Sequence, residues 1–236
     1  MTNLKKNEEE LLVSQDNFLS SKVHRRSFLQ FAGAGAAGIA LVAAGCKKDK
    51  NNGLDSGVDL GSGDVGILNY AYALEQLEAA FYVQVALTPY SGITALESSY
   101  LTDIRDHEVA HREFFKNALG ASAIKGLEVN FSTIDFSSRA SVLGTAKAFE
   151  DLGVSAYNGA GTLLKSADYL LLAGKIVSVE ARHAALIRDL LANGSFANSE
   201  VIDMNGLDKS RTPIQVLTIA KDFIKTKINA SNLPTS

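Results

Sequence analysis

The chain has 236 residues, of which 46% are hydrophobic, and its formal net charge is −3. This is the composition of a globular protein, and the small negative charge argues against nucleic acid or any other polyanion as a partner. The single cysteine excludes an internal disulfide framework, a cysteine-based zinc site and a four-cysteine rubredoxin-type module. Any site chemistry is therefore expected to use oxygen and nitrogen ligands.

Residues 1–46 predict an export signal. Arg25 and Arg26 precede a charge-free run rich in Ala and Gly over residues 31–45, and this order resembles a twin-arginine signal. The alternative is a transmembrane helix, but about 18 residues weakened by glycines make a marginal membrane span. We therefore expect the twin-arginine translocation machinery to be a partner of this segment.

The apolar run ends at the only cysteine, Cys46, in the order Leu-Val-Ala-Ala-Gly-Cys. This resembles a bacterial lipoprotein processing box, although Ala43 stands where Leu is usual, and an ordinary signal-peptidase cut near Ala-x-Ala is the alternative. The position of the single cysteine favours lipidation. We expect a protein of the periplasm or cell envelope that is held at a membrane by a lipid on Cys46. The polar, glycine-rich residues 47–64 predict a flexible linker.

From residue 65 onward the apolar residues recur at helical spacing and predict an all-α domain over residues 65–236. Four long helices are expected, at residues 65–87, 93–119, 139–164 and 166–191. Ser137 or Ser138 is available as the N-cap of the third helix. A short fifth helix is expected to start with Thr212 as its N-cap and Pro213 at its first position.

The lengths of the connections predict how these helices are joined. The first two helices and the last two are separated by short segments, whereas about 18 residues separate the second helix from the third. A connection of that length can return the chain along the whole bundle. Two helical hairpins joined by one long crossover form a topology that resembles the ferritin-like four-helix bundle.

The two hairpins repeat the same polar pattern on stripes that face the bundle core. Each contains a Glu followed seven residues later by a Tyr, then a Glu followed three residues later by a His: Glu75, Tyr82, Glu108 and His111 in the first, and Glu150, Tyr157, Glu180 and His183 in the second. Four buried carboxylates without counter-charge would cost more free energy than the stability of an ordinary domain. A cationic partner is therefore expected among them.

Two divalent metal ions would balance the four carboxylates, each ion binding one terminal Glu, one His and a share of two bridging Glu. The Glu-x-x-His spacing allows both side chains of a pair to grip one ion, and oxygen with imidazole ligands favours iron or manganese. The alternative is that the polar residues satisfy one another without metal. Tyr82 and Tyr157 are expected to pack in the core and to hydrogen-bond the ligands, rather than to act as radical sites.

Residues 74–82, 150–157 and 179–185 resemble the ferritin-like family that includes bacterial and plant desiccation-related proteins, and the resemblance extends over nearly all of the chain from residue 64. It implies a rubrerythrin-like bundle that binds metal through the six Glu and His residues above. Glu78, one turn from Glu75, is an additional or alternative ligand candidate, although its counterpart in the repeat is Gly153. His107 is expected to lie beside the ligands rather than among them.

The leading functional hypothesis is an exported di-metal protein that reacts with oxygen or peroxide and protects against oxidative or drying stress, as an oxidoreductase of peroxidase, ferroxidase or catalase type. Manganese catalase is one alternative, and a stress-related structural or binding protein with structural metal or none is another. Iron storage ranks low, because a lipid tether fits a closed cage badly. A small-molecule oxidant is the expected substrate, and the chain could form a homodimer.

Overall fold

The computed structural model describes residues 57–235, and five α-helices carry most of them. They are α1 (Gly63–Leu87), α2 (Ala95–Leu119), α3 (Arg139–Gly161), α4 (Ala167–Leu191) and α5 (Pro213–Ala220). The predicted all-α bundle of two helical hairpins plus a short C-terminal helix is confirmed. Arg25, Arg26 and Cys46 lie outside the described residues. No helix within residues 57–235 combines the length and apolarity that crossing a membrane requires.

The helix starts are set by local hydrogen bonds between side chains and backbone. At the start of α2, Thr94 and Glu97 form a reciprocal capping box, in which each side chain accepts a hydrogen bond from the backbone N–H of the other residue. Ser138 caps α3 through its hydroxyl, and Thr212 caps α5 with Pro213 at the next position. Caps of this kind typically contribute about 1 kcal/mol each, so the local sequence favours helix starts at these positions.

Several boundaries differ from the prediction. Helix α1 begins at Gly63 rather than residue 65, α2 at Ala95 rather than residue 93, and α4 at Ala167 rather than residue 166. The third helix was expected to reach residue 164, but α3 ends at Gly161 and a hydrogen-bonded turn follows, in which the Leu163 N–H donates to the Ala160 carbonyl. The end of the predicted linker is ordered in the structure. There, β1 (Val58–Asp59) pairs in parallel with β2 (Ile228–Asn229), and Leu60 is fully buried. An apolar anchor therefore fixes the chain just before α1 begins.

Helix α1 is the most buried of the four long helices, with most of its residues inaccessible to solvent. It packs against α2 within its hairpin and against α3 of the other hairpin. Two buried polar residues of α1 hold the crossover between the hairpins: Asn69 hydrogen-bonds Ser122 and Ile124, and Gln76 accepts a hydrogen bond from the Leu127 N–H. The crossover therefore covers α1, which explains why this helix is apolar around most of its circumference.

Candidate metal centre

The six predicted ligands come from all four long helices and meet in the middle of the bundle. Glu75 lies on α1, Glu150 on α3, and the two Glu-x-x-His pairs lie on α2 and α4. All four glutamates are fully buried. The side chain of His183 is 5% exposed and that of His111 is 14% exposed, so His111 is the most accessible of the six. The helical spacing puts each side chain on the core face of its own helix, and packing of the hairpins brings the four faces together.

The six residues form two overlapping groups, each with four potential ligand atoms within 4.8 Å of one another. One group consists of Glu75, Glu108, His111 and Glu180, and the other of Glu108, Glu150, Glu180 and His183. Glu108 and Glu180 belong to both groups, whereas each remaining Glu and each His belongs to one. The buried cluster could thus hold a metal ion in either half, with two carboxylates common to both halves.

The polar atoms of this cluster lie close together, but most of them form no hydrogen bond with one another. His111 Nδ1 lies 2.8 Å from a Glu180 oxygen, and His183 Nδ1 lies 2.9 Å from a Glu108 oxygen. Neither nitrogen makes a hydrogen bond of acceptable direction, and both carboxylate oxygens of Glu108 and of Glu180 also lack hydrogen-bond partners. Native proteins seldom leave buried polar atoms unpaired. Convergent, unpaired oxygen and imidazole donors fit a hard or borderline divalent cation.

Two tyrosines orient the remaining carboxylates across the interface between the hairpins. The hydroxyl of Tyr82 on α1 donates a 2.5 Å hydrogen bond to Oε1 of Glu150 on α3. The hydroxyl of Tyr157 on α3 donates in turn to Oε1 of Glu75 on α1. In both glutamates the other oxygen, Oε2, has no hydrogen-bond partner. Each tyrosine therefore holds one oxygen of a terminal carboxylate and leaves the second free to bind a cation.

Glu78 is buried beside the six residues but belongs to neither group of four. Its Oε1 would lie only 3.0 Å from a Cβ atom built on Gly153, the residue that replaces it in the second half of the repeat. The glycine thus makes room for the glutamate. Of the two α1 carboxylates considered as ligands, the structure brings Glu75 into a ligand group and places Glu78 next to it.

The pKa shifts describe how the cluster balances its charge with protons. Burial raises the pKa of Glu108 well above its usual range, and repulsion by Glu180 raises it further. Burial likewise raises the pKa of Glu150 to about 7. Burial also opposes ionisation of Glu180, yet its contacts with His111 and His183 lower its pKa to about 2. Without metal, neutral carboxyl groups and charged imidazoles therefore keep the cluster near neutrality.

The pKa values of His111 and His183 are likewise set by burial and by contacts with the carboxylates. Burial disfavours the charged imidazole of His111, but contacts with Glu180 and Glu75 outweigh it and raise the pKa to about 10. For His183, burial is outweighed by contacts with Glu108, Glu150 and Glu180, and the pKa rises to about 12. Metal binding requires neutral imidazoles and ionised carboxylates, so a divalent cation would displace these protons.

His107, predicted to lie beside the ligands, contacts one of them directly. Its Nδ1 lies 2.9 Å from Nε2 of His183, and the two rings are nearly parallel, with an interplanar angle of 8°. The two residues are 76 positions apart, and no local pattern in the sequence indicates that they meet. His107 itself is exposed at the surface, so this contact connects the buried cluster with the outside of the bundle.

Comparisons with known proteins agree with the fold. The sequence model of one family, described as a ferritin-like domain, matches residues 63–193. The matched region runs from the start of α1 through the end of α4 and includes all six clustered residues. A comparison with curated proteins finds no match.

Proposed function

The chain belongs to the ferritin-like domain family, and on this premise we propose that it is a di-metal carboxylate protein that binds two iron or manganese ions and reacts with oxygen or peroxide. The observation that carries the proposal is the pair of overlapping ligand groups that share Glu108 and Glu180. One ion would be held by Glu75 and His111, the other by Glu150 and His183, and the two shared carboxylates would bridge them. When bound, redox-active ions supply the electrons for reduction of an oxidant.

The chain itself contributes buried ligand candidates, two of which are held by hydrogen bonds. Tyr82 and Tyr157 fix the terminal carboxylates by their hydrogen bonds across the bundle, so the ligands need little rearrangement to accept a cation. The buried carboxylates exclude bulk water from the centre. Approach of a small oxidant is easiest on the side of His111, the most exposed of the six residues.

For a peroxidase-type reaction we expect an external electron donor. Cys46 is the only cysteine of the chain, so the chain has no four-cysteine iron site of its own to pass electrons to the metal centre. With export through the twin-arginine route and a lipid on Cys46, the protein would act at a membrane of the cell envelope. Protection against oxidative or drying stress is the physiological role that we propose.

A stress-related structural or binding protein is the second candidate, because ion pairs between the histidines and Glu180 can stabilise the cluster without metal. Charged His111 and His183 beside the ionised Glu180 can hold the centre together without metal. The two candidates differ in one measurable property, because only the first requires bound metal. Manganese catalase, a further alternative, would release oxygen from peroxide without an added reductant.

The deciding experiment measures metal content and chemistry together. The full chain is produced in medium of defined metal content, and bound metals are quantified by mass spectrometry beside a variant with Glu108→Ala and Glu180→Ala. We expect two equivalents of iron or manganese per wild-type chain, almost none in the variant, and consumption of peroxide or oxygen by the loaded protein only. A folded wild-type chain that takes up no metal would refute the di-metal proposal and leave the structural role.

A further inference from the structure

The two hairpins repeat the same polar pattern but differ at the residue that precedes each shared carboxylate. His107 precedes Glu108 on α2, whereas Val179 precedes Glu180 at the equivalent position on α4. As a result, His111 and His183 differ in the group that contacts Nε2, the ring nitrogen that faces away from the carboxylates. Nε2 of His183 has the imidazole of His107 at 2.9 Å. No group within residues 57–235 hydrogen-bonds Nε2 of His111, which lies on the more exposed side.

This difference matters for a histidine that binds a cation through Nδ1. The Nδ1 of His183 faces the oxygens of Glu108 and Glu150 at 2.9 and 3.4 Å, so it is the nitrogen that would bind the metal. A neutral imidazole bound through Nδ1 carries its proton on Nε2, and an acceptor at Nε2 holds the ring in this tautomer. Nδ1 of His107 is at the right distance and fixes both the tautomer and the rotation of the ring.

We propose that His107 is a positioning residue that makes the two metal sites unequal, so that the site of Glu150 and His183 binds its ion more tightly than the site of Glu75 and His111. This inference rests on the proposed di-metal function. Partners of the outer nitrogen of a ligand histidine typically change metal affinity by about 10–100-fold. His107 also occupies the outer nitrogen of His183, whose side chain is 5% exposed against 14% for His111.

The test is a titration of the metal-free full chain with Mn²⁺ and, separately, with Co²⁺, whose visible absorption reports its coordination. Wild-type protein is compared with His107→Phe, which keeps a ring but cannot accept a hydrogen bond, and with His107→Gln, which can accept one. Val179→Ala is the matched control, because it alters the equivalent position on α4, where no such hydrogen bond exists. Thermal unfolding of each metal-free variant verifies that the bundle is intact.

We expect two binding steps of different affinity in the wild-type protein. In His107→Phe the tighter step should weaken by about 10–100-fold, while the weaker step and the Val179→Ala control stay unchanged and His107→Gln recovers part of the loss. The effect should persist in a His111→Ala background and vanish in a His183→Ala background. This pattern assigns the change to one of the two sites.

The outcomes separate this inference from the function on which it rests. If the wild-type chain binds two ions but His107→Phe binds both with wild-type affinity, the positioning role is refuted and the di-metal function stands. Equal weakening of both steps, or an effect that persists without His183, also refutes it. If the folded wild-type chain binds no metal, both proposals fail.

Discussion

Two charged clusters share the helices α3 and α4 and are built in opposite ways. One is the candidate metal centre, to which α3 contributes Glu150 and α4 contributes Glu180 and His183. The other, which we call the Arg188 cluster, contains Arg188 of α4, Asp151 of α3, and Lys147 and Glu200. Glu150 and Asp151 are neighbours in sequence, yet one faces the core of the bundle and the other its outer side.

In the Arg188 cluster the charged groups form ion pairs with one another. Arg188 is 2% exposed, forms a two-pronged ion pair with Asp151 at 2.8 and 2.9 Å, and contacts Glu200 at 2.9 Å. Lys147 contacts Glu200 at 2.7 Å, so two positive charges meet two negative ones. The metal centre has a surplus of carboxylates and unpaired donor atoms. Buried charges that pair with one another, as in the Arg188 cluster, need no further partner, whereas the unpaired donor atoms of the Glu and His cluster could hold a metal ion.

The largest predicted effect concerns a bridging carboxylate. Glu108→Gln should cost the metal-free protein little stability, because the pKa of Glu108 is raised well above its usual range and the glutamine resembles the neutral acid. Added Mn²⁺ at 1,000 times the dissociation constant should stabilise the wild-type fold by about 4 kcal/mol per site, and this gain should be lost in the variant. Thermal unfolding with and without metal measures it. A variant that retains the full stabilisation by metal would show that Glu108 is no ligand.

The second prediction concerns pH. A carboxyl group whose pKa rises on folding binds more protons in the folded state, so its contribution to stability falls as pH rises between the unfolded and folded values. For Glu150 this window runs from 4.5 to about 7. Glu150 alone should account for a loss on the order of 3 kcal/mol across this window in the metal-free protein. Burial raises the pKa values of Glu75, Glu78 and Glu108 as well, so these groups act in the same direction. Denaturant unfolding at several pH values measures the total.

A matched control for this pH dependence is Glu150→Gln, in which the slope between these pH values should become shallower. The histidines act in the same direction at higher pH, because their raised pKa values favour the folded state at low pH and this advantage is lost as pH rises towards about 10 for His111. With metal bound, stability should instead rise with pH, because protons no longer compete for the ligands. Equal slopes with and without metal would contradict the assignment.

The third prediction concerns the Arg188 cluster. Arg188→Ala should lower the free energy of unfolding by about 2 kcal/mol, because several charge-assisted hydrogen bonds are lost. The loss is moderated because the side chains of Asp151 and Glu200 are 17% and 58% exposed and can regain water. Metal affinity should stay unchanged. A loss of bound metal in a folded Arg188→Ala protein would show that the two clusters are coupled.

The smallest predicted effect concerns the tyrosines that hold the terminal carboxylates. Tyr157→Phe should weaken metal binding by about 1 kcal/mol at the Glu75 site, and Tyr82→Phe by a similar amount at the Glu150 site, because each removes one hydrogen bond to a buried carboxylate. Tyr70→Phe is the control, since the buried Tyr70 hydroxyl has no hydrogen-bond partner. Calorimetric titration with Mn²⁺ measures all three. An equal effect of Tyr70→Phe would attribute the change to packing.

Much of the fold could be predicted because its signals are local. Apolar periodicity marks the four long helices, and the capping residues Ser138 and Thr212 begin α3 and α5 where expected. The Thr94 and Glu97 capping box was a readable signal for the start of α2 that the predicted boundary at residue 93 did not use. The pairing of β1 with β2 has no such signal, because it joins two-residue segments from opposite ends of the domain.

The sequence by itself determined which side chains face the core, because helical periodicity sets the direction of each residue relative to its own helix. That was enough to select the six Glu and His residues by their buried charge. Only the tertiary structure decided which atoms meet: the crossed tyrosine hydrogen bonds, the space beside Gly153 that Glu78 fills, and the contact of His107 with His183. These depend on the offset and rotation of one helix against another, which arise from packing along their whole lengths and leave no trace in local spacing.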